Sequence, residues 1–167
     1  MRTKTASARS LPALLCVMLL ALIVTHPGAP AGAEASQVVP YTVVETGRTS
    51  GIREPAQVVI RDAAAWTALW RTHAGPAGKP APAVDFGREI IIALFAGDSP
   101  APRTLTISRI VHESDGLTVW YILRDTGPLP DGGSPSRVAP FQIVRLTRLV
   151  APVRFMRVKT PPIVPQP

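Results

Sequence analysis

The chain has 167 residues, of which 46% are hydrophobic, and a formal net charge of +7. This length suits one folded domain with short flanking segments. The single cysteine, Cys16, excludes an intramolecular disulfide and a cysteine-based metal site. The 19 prolines are far more than average and predict many turns, loops and extended tails.

The first 35 residues have the three-part layout of a secretory signal peptide. A polar segment with three cations precedes an apolar run of 14 residues at 11–24, and small-residue sites follow. A membrane-spanning helix needs about 20 apolar residues, so this run is too short for a stable anchor. We predict cleavage after Ala35, with Ala33 and Ala31 as alternative sites. The product is expected to be exported, periplasmic or secreted, with no stable membrane span after cleavage; an uncleaved anchor is the alternative.

The exported part is predicted to begin with two strands and a helix. Runs rich in valine near 38–44 and 57–61 are typical of strands. Asp62 can cap the following helix, because its carboxylate can accept the free N–H groups of the first turn. The helix is predicted at 63–73, before Gly75 and Pro76. The i, i+3, i+4, i+7 spacing defines its apolar face, which consists of Trp66, Leu69, Trp70 and His73.

The roles of three residues on this helix can be predicted separately. Trp66 and Trp70 are expected to belong to the core, although two tryptophans could also form a sugar or peptide platform. His73 is expected to be exposed in the last turn, where it would interact favourably with the helix dipole. Truncation of Trp70 is therefore expected to be strongly destabilising, and truncation of His73 is expected to cost little.

The stretch 83–97 contains the strand around which the domain is expected to form. Residues 90–95, Ile-Ile-Ile-Ala-Leu-Phe, are all apolar, which is typical of a strand buried on both faces. Such a strand needs cover from two sides. We therefore predict an α+β fold, in which a curled, antiparallel-rich β-sheet of six to seven strands, partly barrel-like, has one packed α-helix.

Two alternating runs, 104–111 and 117–124, predict a β-hairpin with a turn at Ser114-Asp115-Gly116. Because Trp120 shares a face with Thr118 and Arg124, it is expected to face solvent. Runs at 138–146 and 153–158 are expected to be a last pair of strands. The single domain is thus predicted at 36–159, and the Pro-rich tail at 160–167 is expected to be disordered.

Several of these features, in this order, resemble the C-terminal domain of the protease-complex subunit PrcB. They are Trp66 and Trp70 in a short helix, Val84-Asp85-Phe86 before the apolar strand ending at Gly97, Pro128-Leu-Pro-Asp-Gly132 after the hairpin, and Ala139-Pro-Phe-Gln-Ile-Val144 before a basic strand. The resemblance covers about 51–155. It implies a small exported accessory domain that helps to assemble or stabilise a protein complex, and it implies no enzyme activity. The chain departs from the family at Pro100-Ala-Pro-Arg-Thr104, which stands in place of a glycine pair and an aromatic residue.

The exported part shows no residue pattern typical of a catalytic, cofactor or metal site. His73 and His112 are not in a His-x-x-His or Glu-x-x-His pair, so zinc-ligand spacing is missing. No serine lies in a Gly-x-Ser-x-Gly elbow. Asp85 and Glu89 could form a carboxylate pair, but with Arg88 between them a role at the entry of the central strand is favoured. We expect the protein to have no enzyme activity and to bind no cofactor. A small hydrolase is the less favoured alternative.

A candidate partner-binding surface combines the exposed aromatic residue with the basic C-terminal segment. Its predicted residues are Trp120, Arg124, Arg145, Arg148, Arg154 and Arg157. Arginine suits carboxylate partners, so we expect a protein partner with an acidic surface, such as a protease complex. The alternatives are charges that protect an edge strand from pairing, an anionic envelope polymer as partner, and a protease-inhibitor-like or substrate-presenting role. Nucleic acid is not expected, because export separates the chain from it.

Overall fold

A computed structural model describes residues 36–126 and 137–159, which belong to one compact unit. The predicted signal peptide at 1–35, the motif at 128–132 and the predicted tail at 160–167 lie outside these residues. In the part of the chain that the structure describes, no helix is both long enough and apolar enough to cross a membrane.

The described residues form eight strands and one α-helix. In chain order these are β1 (Gln37–Val38), β2 (Tyr41–Gly47), β3 (Ala56–Ile60), α1 (Ala63–Ala74), β4 (Glu89–Phe95), β5 (Arg103–Glu113), β6 (Gly116–Asp125), β7 (Phe141–Thr147) and β8 (Val153–Arg157).

The strands are arranged in two four-stranded sheets that pack face to face. Sheet A has the order β1-β5-β6-β8, and sheet B has the order β2-β7-β4-β3. Every neighbouring pair is antiparallel except β6 and β8, which are parallel. The predicted α+β class, rich in antiparallel strands and with one packed helix, is confirmed. The sheets are not closed into a barrel, and the last two strands, β7 and β8, belong to different sheets.

Strand β4 lies in the middle layer of a three-layer arrangement. The even-numbered residues of 90–95 belong to the core between the two sheets. The odd-numbered residues belong to a second core between sheet B and α1. Because side chains alternate along a strand, a fully apolar run fills both cores at once. The predicted two-sided burial is therefore confirmed, with sheet A on one side and α1 on the other.

Helix α1 begins at the predicted residue and ends one residue later than predicted. The Asp62 carboxylate accepts a hydrogen bond from the Ala65 backbone N–H at 2.8 Å, as expected of a helix cap. Gly75 follows the helix with a φ of 74°, and its N–H donates to the Arg71 carbonyl at 3.0 Å. Glycine suits this position because a side chain would strain a positive φ.

Trp66 and Trp70 attach α1 to sheet B and also hold the loop that follows the helix. Each residue is only 3% exposed, so both belong to the core, as predicted. The indole N–H of Trp66 donates to the Pro82 carbonyl at 2.9 Å, and that of Trp70 donates to the Lys79 carbonyl at 2.8 Å. Buried indoles need such partners. The two rings therefore fix both the helix and the path of the chain towards β4.

Candidate functional site

Trp120 lies on the outer face of sheet A. Its neighbours Leu117 and Val119 belong to the core between the sheets, so alternation along β6 turns Trp120 outwards. Neither core cluster includes Trp120, and the residue is partly exposed. Met156, directly opposite on β8, is 45% exposed. The predicted face of Trp120 thus agrees with the structure, although its exposure is only partial. Thr118, which was expected to share a solvent-facing side with it, is 3% exposed and donates to the Glu113 carboxylate at 2.8 Å.

Arg109, a neighbour that regular alternation along β5 does not predict, covers one side of Trp120. Its guanidinium carbon lies 5.0 Å from the centroid of the Trp120 ring, which is a cation–π distance. Arg109 reaches this face because the register between β5 and β6 shifts between Ile107 and Arg109. The bulge at Ser108 breaks the alternation and turns Arg109 outwards. The sequence signal is the spacing of Ile107 and Ile110, which are both buried although strict alternation would place them on opposite faces.

Two of the predicted cations share the outer face with Trp120. Arg124 is exposed and makes no ion pair with any described residue. Arg154 on β8 contacts Asp115 through two hydrogen bonds of 2.6 Å and lies 3.4 Å from Glu113. The hydrogen bonds from Arg154 hold the pKa of Asp115 below its usual value. The charge of Arg154 is therefore largely neutralised by the turn between β5 and β6.

The other three predicted cations do not lie on this face, so the predicted basic surface is divided. Arg157 lies opposite Tyr121, which packs against the core between the sheets. Arg145 is on β7 of sheet B, 3.7 Å from the Glu89 carboxylate. Arg148 donates to the backbone carbonyls of Arg61 and Phe86. The division arises because β7 and β8 follow one another in sequence but pair in different sheets. Because β8 is an edge of sheet A, its cations also suit the alternative role of protecting an edge strand.

A chain of three polar side chains lies at the C-terminal end of α1. His73 Nδ1 is 2.9 Å from Ser50 Oγ, and His73 Nε2 is 3.2 Å from Glu45 Oε2. The Ile52 N–H donates to Ser50 Oγ at 3.0 Å. All these contacts are satisfied together when Ser50 donates to Nδ1 and the Nε2–H donates to Glu45. We call Ser50, His73 and Glu45 the polar chain.

His73 is buried, which corrects the expectation that it is exposed. It is 6% exposed, and its ring centroid lies 5.3 Å from that of Trp70, 5.7 Å from that of Phe95 and 4.3 Å from that of Phe141. The physical reason is that His73 continues the apolar face of α1. Its two nitrogens can be buried there because β2 and the following segment supply the hydrogen-bond partners.

Glu45 is the charged end of the polar chain. Burial acts to raise the pKa of its carboxyl, but hydrogen bonds from Lys79 and His73 and the charge of Lys79 outweigh burial and hold the pKa below its ordinary value. Lys79 Nζ lies 2.9 Å from Glu45 Oε1. The Glu45 carboxylate thus joins β2 to the end of α1 and to the loop beyond it.

The polar chain has the residue types of a serine hydrolase triad, but its geometry favours a structural role. In a working triad the serine is accessible and contacts Nε2. Here Ser50 is 3% exposed, contacts Nδ1, and already accepts a backbone hydrogen bond. A cavity of about 300 Å³ lies beside the three residues. Within 36–126 and 137–159, no group of three or more His, Cys, Asp or Glu side chains could hold a metal ion.

Acid should weaken the contribution of Glu45 to stability. Because its folded pKa is depressed, the contribution is full above its ordinary pKa of 4.5 and is lost as the pH falls through the folded value. We expect Glu45→Gln to cost about 1 kcal/mol at pH 7 and progressively less below pH 4.5. Urea unfolding from pH 3 to pH 7 measures this difference. The control is Glu54→Gln at an exposed position; a cost of Glu45→Gln that did not change with pH would contradict the prediction.

Comparison with known proteins gives no relative for this chain. No family model matches it, no curated protein matches it, and no solved structure matches it. The resemblance to the PrcB C-terminal domain therefore stays a prediction. Any function proposed for the chain rests on its own sequence and geometry.

Proposed function

We propose that the chain is an exported, non-catalytic binding module that holds an acidic protein partner against the outer face of sheet A. In this role it would help to assemble or stabilise an extracytoplasmic protease or another complex of the bacterial envelope. The observation that carries the proposal is the position of Trp120, on a sheet face that neither core includes.

The outer face of sheet A has the residue types that are enriched at the centre of protein interfaces. Tryptophan, methionine and arginine lie together there as Trp120, Met156 and Arg109. An aromatic ring in a desolvated contact supplies much of the binding free energy of an interface. Arg109 already orients the ring, so less side-chain freedom would be lost on binding.

The charges on this face favour an acidic partner. Neither Arg109 nor Arg124 makes an ion pair with a described residue, whereas Arg154 is matched by Asp115 and Glu113. An unmatched guanidinium can contact a carboxylate of a partner through two hydrogen bonds. The net attraction comes from Arg109 beside Trp120 and from Arg124, which is four residues further along β6.

Site-specific photo-crosslinking in the envelope fraction tests the proposed function. A photoreactive amino acid replaces Met156 on the outer face of sheet A or, as the matched control, exposed Thr67 on α1. We expect one discrete crosslinked protein from position 156 and none from position 67. Equal crosslinking from both positions, or none from either, would refute the proposal. Inhibition of a crosslinked protease, without extension of its lifetime, would favour the inhibitor-like alternative.

Trp120→Ala is expected to weaken association with the crosslinked partner by tenfold or more at every salt concentration. The melting temperature should change little, because Trp120 lies outside both cores. Arg124→Gln is expected to weaken association at low salt and to have a smaller effect at high salt, because salt screens exposed charges. Binding measured at several salt concentrations checks both results, and Arg88→Gln on another surface is the control. If Trp120→Ala unfolds the protein, the ring is part of the core.

A further inference from the structure

A cleft of about 540 Å³ lies where the two sheets separate. Its apolar floor is formed by Leu94 of β4, Leu105 of β5 and Leu123 of β6. The first two belong to the core between the sheets, and Leu123 packs against that core. Leu94 and Leu105 are only 1% and 6% exposed, so a molecule in this cleft would contact mainly the partly buried Leu123 and the edges of the two core leucines.

The topology explains why the cleft is open. Sheet A ends at β8 and sheet B ends at β3, and in the described part of the chain neither strand has a partner on its outer edge. The opposite side is tied together, since β1 of sheet A leads directly into β2 of sheet B, and the Tyr41 hydroxyl of β2 donates to the Ile107 carbonyl of β5 at 2.8 Å. Next to the edge strands, Arg61 donates to the Ala151 carbonyl at 3.0 Å. The cleft therefore opens between the start of β3 and the end of β8.

The mouth of the cleft carries hydrogen-bond donors and positive charge. Arg103 and Arg157 line it; Arg103 is paired with the Asp125 carboxylate, so the unmatched charge at the mouth is that of Arg157. Arg157 donates to the Leu123 carbonyl at 3.2 Å and makes no ion pair with a described residue. The Tyr121 hydroxyl accepts from the Gln57 amide at 3.0 Å, which leaves its own proton for another acceptor.

We propose that this cleft binds a small amphiphilic anion of the fatty-acid class. The hydrocarbon chain lies on Leu123 and on the edges of Leu94 and Leu105, where contact with the protein removes apolar surface of the ligand from water. The carboxylate lies at the mouth and accepts hydrogen bonds from Arg157 and Tyr121. The volume of the cleft is in the ordinary range for small-ligand sites. This site goes beyond the proposed protein-binding function and does not use Trp120, so either proposal can fail alone.

Calorimetric titration of the protein with dodecanoate, below its micellar concentration, tests the site. We expect saturable binding of one molecule, and affinity at least tenfold weaker in Arg157→Gln. Gln57→Glu is a second variant at an exposed residue; its carboxylate at the mouth should also weaken dodecanoate binding at least tenfold by repulsion. Arg88→Gln makes the same change of net charge at a side chain that is 89% exposed and outside the cleft, and should have no effect.

One neutral probe, dodecanol, and one cationic probe, dodecylamine, complete the experiment. Dodecanol should bind more weakly than dodecanoate and should be insensitive to Arg157→Gln, and dodecylamine should bind least. The proposal is overturned if dodecanoate does not saturate, if neither cleft variant weakens it, or if dodecylamine binds equally well. Tighter binding of an apolar peptide with a free C-terminal carboxylate would also overturn it, because the occupant would then be a protein segment.

Discussion

Trp70→Ala is expected to lower the free energy of unfolding by about 3–5 kcal/mol, which approaches the whole stability of a small domain. The ring is 3% exposed, and its centroid lies 5.0 Å from that of Trp66 and 5.3 Å from that of His73. Truncation would leave a cavity under α1 and would also remove the hydrogen bond to the Lys79 carbonyl. Urea unfolding followed by circular dichroism measures the change.

Two matched variants separate the causes of this destabilisation. Trp70→Phe keeps most of the ring and removes the N–H, so it should cost less than Trp70→Ala. Thr67→Ala, on the exposed face of the same helix, should cost less than about 0.5 kcal/mol. A loss below 1 kcal/mol for Trp70→Ala would show that α1 does not pack through this face.

The elements that could be predicted are those with a strong local pattern. The apolar run at 90–95, the i, i+3, i+4 spacing in α1 and the alternation along 117–124 each state which faces are buried. The cap at Asp62 and the end at Gly75 follow from the local chemistry of helix ends. Each of these features depends only on residues a few positions apart, so a short segment of the sequence is enough to predict it.

The pairing of the strands could not be predicted in the same way. Strand β7 lies between β2 and β4, and β8 pairs in parallel with β6, although β7 and β8 are consecutive. Which strands pair depends on how two sheets cover β4, and no short segment specifies this. The expectation of one curled sheet therefore described the burial of β4 correctly and did not give the division into sheets A and B.

Half of the predicted surface residues share one face, and the other half do not, mainly because β7 and β8 belong to different sheets. Trp120 follows the alternation along β6, but the bulge at Ser108 brings Arg109 beside it. The polar chain was missed for a different reason. Ser50 and Glu45 are 23 and 28 residues before His73, and only the tertiary fold brings them to its two ring nitrogens.

His73→Ala is expected to lower the free energy of unfolding by about 2–4 kcal/mol, from lost packing and from lost hydrogen bonds. The ring packs against three aromatic residues. Its removal leaves the buried Ser50 hydroxyl without its hydrogen-bond acceptor, His73 Nδ1. Ser50→Ala, which removes one hydroxyl, should cost about 1–2 kcal/mol. Urea unfolding of both variants measures these losses; a cost of His73→Ala similar to that of exposed Thr72→Ala would contradict the buried position.

The double variant Ser50→Ala/His73→Ala shows whether these two residues act as a unit. If the hydrogen bond between them is structural, the two losses should not add, and the coupling should be about 1 kcal/mol. A serine-reactive fluorophosphonate separates this role from catalysis. We expect no labelling of Ser50, because its Oγ is buried and already accepts the Ile52 N–H. Labelling that disappeared in both Ser50→Ala and His73→Ala would show instead that the polar chain is a nucleophilic site, and the non-catalytic proposal would be wrong.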